Sequence, residues 1–341
     1  MNFRLQRPVP RPTGTEDPGK GLKCPPHWAS FAGDAEQIRC HRPQRWTKVS
    51  EPEFDPPFEI LEPCRLQAPM LVNSPHSGDW YPATFLARSR LGTRDLRRSA
   101  DLFMDRILLG TLERGIPLML AHFPRSFLDV NREPYELDPK MFDGRVPSYA
   151  NTRSLRVTSG YGAVPRLVAE SVEIYARRIP IAEALRRIDQ YYLPYHAALR
   201  RRLNALQRSF GSALLLDCHS MPSASIANMA RQPDVVLGDR HGTSCAPEVM
   251  DYAEATLRSL GCVVARNQPY AGGFITEHYG APLNGVHALQ VEINRALYMD
   301  EAAFEPHQGL DQVSELMMQF LDALKHLQLP EPSQACPLAA E

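Results

Sequence analysis

Two histidines stand just beyond short apolar runs, and their placement points to metal chemistry. The first run, Met70-Leu71-Val72, leads into Asn73-Ser74-Pro75-His76-Ser77-Gly78-Asp79. The second, Ala213-Leu214-Leu215-Leu216, leads into Asp217-Cys218-His219-Ser220-Met221-Pro222. Both read as buried strands ending in a polar turn. In open α/β sheets, ligands bind in the crevice beyond the carboxyl ends of strands. Two imidazoles delivered there, with carboxylates nearby, suit metal-assisted hydrolysis.

The companions of these histidines carry alternatives. Asp79 lies three residues after His76, so one turn can offer a nitrogen and an oxygen to one ion. A surface turn with a helix N-cap fits the same residues. Asp101 and Asp105 lie one helical turn apart, and Asp101 is a second candidate ligand; a solvated face with Arg97, Arg98 and Arg106 fits them too. In Arg125-Ser126-Phe127-Leu128-Asp129-Val130-Asn131-Arg132, the two arginines present guanidinium forks to a carboxylate. Asp129 can pair with one while the other meets a substrate. Residues 287–295 alternate, with His287, Leu289, Val291, Ile293 and Arg295 on one face and Gln290, Glu292 and Asn294 on the other. Glu292 then faces solvent or a catalytic cavity, where it can serve as general base. Tyr270-Ala271-Gly272-Gly273 reads as a lid or a plain connection.

The elements that must hold these groups follow from periodicity. Strands are expected over 69–74, 117–122, 212–218, 234–238, 261–266 and 287–295, and helices over 95–114, 165–178, 180–208, 246–260 and 311–327. Pro194 inside the 180–208 pattern predicts a kink or break. Strands alternating with helices give an α/β fold with a mainly parallel sheet. Residues 1–55, rich in Pro, Arg and Gly, read as a disordered extension, 56–328 as the folded domain and 329–341 as a flexible tail.

Composition narrows the function classes. The chain has 341 residues, 43% hydrophobic, enough for a large core. A net charge of -1 gives no basic surplus for nucleic acid, and no apolar run approaches a membrane span of about 20 residues. The N-terminus has no hydrophobic signal core, and the seven cysteines are scattered without a CxxC pair. A cytoplasmic protein with no thiolate zinc site is expected.

Taken together, seven ordered segments resemble the N-formylglutamate amidohydrolase family from about residue 58 to 326. They are Ser74 to Gly78, Asp101 to Asp105, Phe123 to Pro134, Asp217 to Pro222, Val236 to Arg240, Tyr270 to Gly273 and Gly285 to Met299. The resemblance implies a three-layer α/β/α fold like that of zinc carboxypeptidases, with a central mixed, mainly parallel sheet of about eight strands. It implies one Zn2+ and hydrolysis of an N-formyl amino acid, N-formyl-L-glutamate foremost, within amino-acid catabolism and histidine degradation. It places metal ligands at His76, His219 and Asp79 (or Asp101), the general base at Glu292, oxyanion stabilisation at Arg125, and substrate carboxylate binding at Asn131 and Arg132. The expected partner is a small molecule, with no nucleic acid and no membrane; oligomeric state is left open. Arg153, Arg166 and Arg240 are possible second anionic contacts. Two other readings stand beside this one: a carboxypeptidase-like hydrolase of another N-acyl amino acid or short peptide, and a non-catalytic binder of acylated amino acids.

Overall fold

The apolar runs that precede the candidate site residues form the middle of one sheet. The computed structural model describes residues 51–330 and 332. Its strands are β1 (Phe58–Leu61), β2 (Met70–Ser74), β3 (Leu118–Ala121), β4 (Ala213–Met221), β5 (Val235–Gly238), β6 (Val264–Arg266) and β7 (Val286–Asn294). They lie in the order β1-β3-β2-β4-β7-β5-β6. The four central strands β3, β2, β4 and β7 run parallel, so their carboxyl ends open on one side. β1 is antiparallel to β3 and β5 to β7, which makes the sheet mixed. It has seven strands, against the expected eight or so. The short β1 escaped the sequence reading because an edge strand of four residues leaves little periodic signal.

Helices cover both faces. The principal ones are α1 (Met104–Leu108), α2 (Ile181–Arg187), α3 (Leu193–Phe210), α4 (Pro247–Ser259), α5 (Phe274–Tyr279) and α6 (Gly309–Leu324). On one face Leu214, Leu216, Leu289, Val291 and Ile293 pack with α1, α4 and α6. On the other, Leu71, Met119, Leu215 and Ala288 meet α3 and an aromatic layer that includes Phe123, Phe127, Tyr191 and Tyr195. The result is three layers, α/β/α.

Several expectations are corrected. Residues 95–114 do not form one helix: Thr93–Leu96 and Arg97–Ser99 stop before Asp101, and α1 begins only at Met104. Between them the chain turns inward, with Phe103 at φ 66 and the Asp101 N–H bonded to the His76 carbonyl at 3.0 Å. Residues 165–178 hold a small hairpin, Leu167–Ala169 with Val172–Glu173, rather than a helix. Val168 and Val172 favour extended backbone there, and Ser171 turns with positive φ. In the long helical stretch, Pro194 has no N–H for the ladder, and a π-turn over Ile188–Tyr192 widens the helix just before it.

The extension expected over 1–55 lies outside the described residues except for 51–55. There Phe54 is fully buried against Phe123, Phe127 and Tyr191, so packing begins before the expected boundary. The tail expected over 329–341 lies outside them beyond Pro332. At its start Leu329 packs on the core and the Pro330 carbonyl lies 3.3 Å from His287 Nε2. Among the described residues no helix is long and apolar enough to cross a membrane.

His196 of α3 ties the helical layer to the loops beneath the site. Its Nε2 lies 2.9 Å from the Val130 carbonyl and its Nδ1 2.9 Å from the Tyr279 hydroxyl. Burial lowers its pKa to about 4. An unfolded histidine titrates near 6.5, so the unfolded chain takes up this proton first and stability falls as pH drops from about 6.5 toward 4. Between pH 7 and 5, the chain should lose about 2 kcal/mol more unfolding free energy than its His196→Gln variant. Urea titrations at the two pH values read this difference; equal losses would contradict it.

Candidate metal centre and active site

Strand register brings the polar residues into rows. On β2, β4 and β7 the residues facing the aromatic layer are apolar at first and turn polar toward the carboxyl ends. Asn73 lies opposite Asp217, and Asp217 opposite Gln290. One pair further along, His219 lies opposite Glu292. Glu292 therefore faces the cavity side, not a solvent-facing edge, and is buried. His76 arrives two residues past the end of β2, and Arg125, Asp129, Asn131 and Arg132 come from the loop after β3.

His76, Asp101 and His219 meet in a buried group whose ligand atoms all lie within 4.8 Å of one another. Asp101 Oδ2 is 3.0 Å from His219 Nδ1 and 3.4 Å from His76 Nδ1. Tetrahedral ligands at about 2.1 Å from one zinc are roughly 3.3 Å apart, so the spacing suits a single ion. His76 Nδ1 is buried and makes no hydrogen bond, as an inward-facing donor for a cation would. Each imidazole is held from behind by a carboxylate: Asp129 Oδ1 at 2.8 Å from His76 Nε2, and Asp217 Oδ2 at 2.9 Å from His219 Nε2. Such partners fix the N–H on Nε2 and leave the Nδ1 lone pairs turned inward. Two imidazole nitrogens and one carboxylate oxygen are a donor set that zinc accepts in open catalytic sites.

The buried carboxylates differ in their support. Asp101 accepts from Ser220 Oγ at 3.1 Å and Arg295 at 3.2 Å; burial alone raises its pKa, but the two histidines hold it well below the usual range. Asp129 accepts from the Asn131 N–H and from Arg125 Nε, both at 2.9 Å. Burial raises its pKa too, and the Arg125 and Arg132 charges outweigh that. Asp217 accepts from Asn73 Nδ2 at 2.8 Å, and Tyr195 donates in turn to Asn73. Glu292 accepts only from Gln290 Nε2, at 3.0 Å, among the described residues. Burial pushes it up to about 7, so it can exchange a proton near neutrality.

The remaining candidates fall on both sides of the expectation. Asp79 lies outside the group, half exposed and paired with Arg97 at 3.4 Å; the short turn after His76 carries it to the surface, while the broken helix brings Asp101 in. Arg125 and Arg132 line the same cavity of about 580 Å³ as His76, His219 and Glu292. Among the described residues, Arg125 uses only Nε on Asp129, leaving its terminal nitrogens to the cavity. Arg132 donates to the Tyr161 carbonyl at 3.0 Å and the Asn131 carbonyl at 2.7 Å. Asn131 is held by the protein itself, with Oδ1 accepting from the Ile275 N–H at 2.7 Å and Nδ2 lying 3.2 Å from His219 Nε2. Gly273 packs so closely on Asn131 that a Cβ would come within 2.3 Å of its amide nitrogen, so the paired-glycine loop is a fitted wall of the site. The sequence reading missed Asp217, Ser220, Gln290 and Arg295 as supports. The His219 register and the alternation of 287–295 were the available signals.

A family profile described as N-formylglutamate amidohydrolase matches residues 68–299. An N-formylglutamate deformylase of Pseudomonas aeruginosa is 31% identical over 250 residues, covering 72% of this chain and 87% of that protein. One from Pseudomonas putida is 29% identical over 266 residues, 75% and 92% of the two. The crystal structure of an N-formylglutamate amidohydrolase from Ralstonia eutropha JMP134 superposes with a TM-score of 0.74 at 35% identity, covering 79% of this chain and 96% of that one.

The geometry separates the two aspartates. In a competition titration against a chromophoric chelator, Asp217→Asn should weaken zinc binding about 10–100-fold and Asp101→Ala by more, with Asp79→Asn near wild type. Equal effects at Asp79 and Asp101 would contradict this arrangement.

Proposed function

The chain belongs to the N-formylglutamate amidohydrolase family, and from that premise we propose that it hydrolyses N-formyl-L-glutamate to formate and L-glutamate with one zinc ion. The observation that carries this reading is the buried His76, Asp101 and His219 group, with Glu292 beside His219 in the same cavity.

These three side chains would hold the metal, which would supply Lewis acidity, polarising the formyl carbonyl and acidifying water. Glu292 accepts a proton from the attacking water as its oxygen bonds to the formyl carbon. The C–N bond then breaks, and Glu292 returns that proton to the departing amine. Its environment suits both halves, because a carboxyl titrating near 7 is neither a weak base nor a reluctant acid at neutral pH. Arg125 turns its free nitrogens toward the charge that develops on the carbonyl oxygen. Arg132 receives the α-carboxylate, with its Nε and one terminal nitrogen anchored on backbone carbonyls. Asn131, engaged by Ile275 and lying against His219, fixes the loop that carries Arg132.

The test is formate release from N-formyl-L-glutamate by the zinc-loaded chain and its Glu292→Gln variant. Wild type should release formate, and the variant should lose about 10²–10⁴-fold in kcat while retaining its metal. Near-normal turnover in Glu292→Gln would remove Glu292 from the role. No formate release from wild type with zinc bound would remove the substrate.

A further inference from the structure

The cavity holds more positive charge than its carboxylates use. Arg295 is paired with Asp101 and Arg125 with Asp129. Arg132 reaches Asp129 only at 3.6 Å. Arg156 lines the same cavity and, among the described residues, has no ion pair and no side-chain hydrogen bond.

Backbone contacts fix Arg156 next to Arg132. It sits in the short helix Leu155–Thr158, where Ser154 Oγ accepts from the Val157 N–H at 3.1 Å and Val157 is buried. Tyr161 then joins the two arginines: its N–H donates to the Arg156 carbonyl at 2.8 Å, and its own carbonyl accepts from Arg132 Nε at 3.0 Å. Burial lowers the Arg132 pKa to about 10, against the pull of Asp129, and the Arg125 and Arg156 charges lower it further. Like charges on one partly desolvated wall repel, and an anion between them relieves that repulsion and gains charge-assisted hydrogen bonds.

The other arginines that the sequence nominated for a second anion are committed or misplaced. Arg166 pairs with Asp138 at 2.7 Å and Glu173 at 3.2 Å, and Arg240 pairs with Glu277 at 2.9 Å. Arg153 is exposed and does not line the cavity.

We propose that Arg156, standing beside Arg132, is the specificity residue that receives the side-chain carboxylate of a dicarboxylic N-formyl amino acid and so selects acidic over neutral substrates. The inference rests on the deformylase reading for the bond cleaved and adds the group that chooses the substrate. Arg132 takes the α-carboxylate and Arg156 the second one, each by charge-assisted hydrogen bonds.

Two measurements on the purified, zinc-loaded chain test this. The first compares kcat/KM for N-formyl-L-glutamate with that for its neutral near-isostere N-formyl-L-glutamine. Arg156→Ala should lose about 10–100-fold on the glutamate substrate, mainly through KM, and less than about twofold on the glutamine one, with Arg156→Lys recovering part of the loss. The second is calorimetric binding of glutarate, a dicarboxylate with no amide to cleave, which Arg156→Ala should weaken by a similar factor. Equal losses on both substrates, or a selective loss in Arg98→Ala instead of Arg156→Ala, would overturn the assignment. If neither formyl substrate is turned over but glutarate binding still depends on Arg156, the deformylase reading fails and the dicarboxylate subsite stands. If neither turnover nor glutarate binding responds to Arg156, the subsite fails.

Discussion

Burying ionised groups is the constraint around which this molecule is organised. Asp101, Asp129 and Asp217 are all withdrawn from water, and an isolated carboxylate in such a place would be severely destabilised. Each is instead met by donors: Ser220 and Arg295 for Asp101; Arg125, His76 and a backbone N–H for Asp129; Asn73 and His219 for Asp217. Two of these carboxylates, Asp129 and Asp217, also orient the imidazoles of His76 and His219. Glu292 is the exception. With one amide donor and deep burial it is not held ionised, and this difference in support sets it apart from the three aspartates.

The sheet makes that arrangement reproducible. Because side chains alternate along a strand, a one-residue slip between β4 and β7 would move either His219 or Glu292 to the opposite face. The apolar halves of both strands prevent it: Leu214, Leu216, Leu289 and Val291 lock one face into the core with α4 and α6, while Leu215 and Ala288 lock the other under α3. Tyr195 links this packing to the chemistry directly, because it lies in the aromatic layer and donates to Asn73, which in turn holds Asp217. The order of support runs from α3 through Asn73 and Asp217 to His219.

Much of this was legible in the sequence, for reasons that differ by residue. His76 and His219 showed themselves because each interrupts a strongly apolar strand context with polar residues. Glu292 showed itself through the alternation of 287–295, which the structure reproduces on opposite faces of β7. Asp101 was less legible. Its neighbours have helical spacing, and nothing local reveals that the helix breaks so that His219, Ser220 and Arg295 can capture its carboxylate; all three lie more than a hundred residues away in sequence. The hairpin at Leu167–Ala169 and the placement of Arg156 were illegible for the same reason, since tertiary contacts override weak local preference. Places where local pattern and fold disagree tend to be functional, and the break at Asp101 is one.

Every role proposed for these side chains depends on where a metal sits. Anomalous diffraction at the zinc edge from crystals of the zinc-loaded protein locates it directly. One buried peak is expected, about 2.0–2.2 Å from His76 Nδ1, His219 Nδ1 and a carboxylate oxygen of Asp101, with Asp129 and Asp217 on the far sides of the two rings. A peak bound through Nε2 of either histidine, a peak at Asp79, or no ordered peak in this cavity would contradict it.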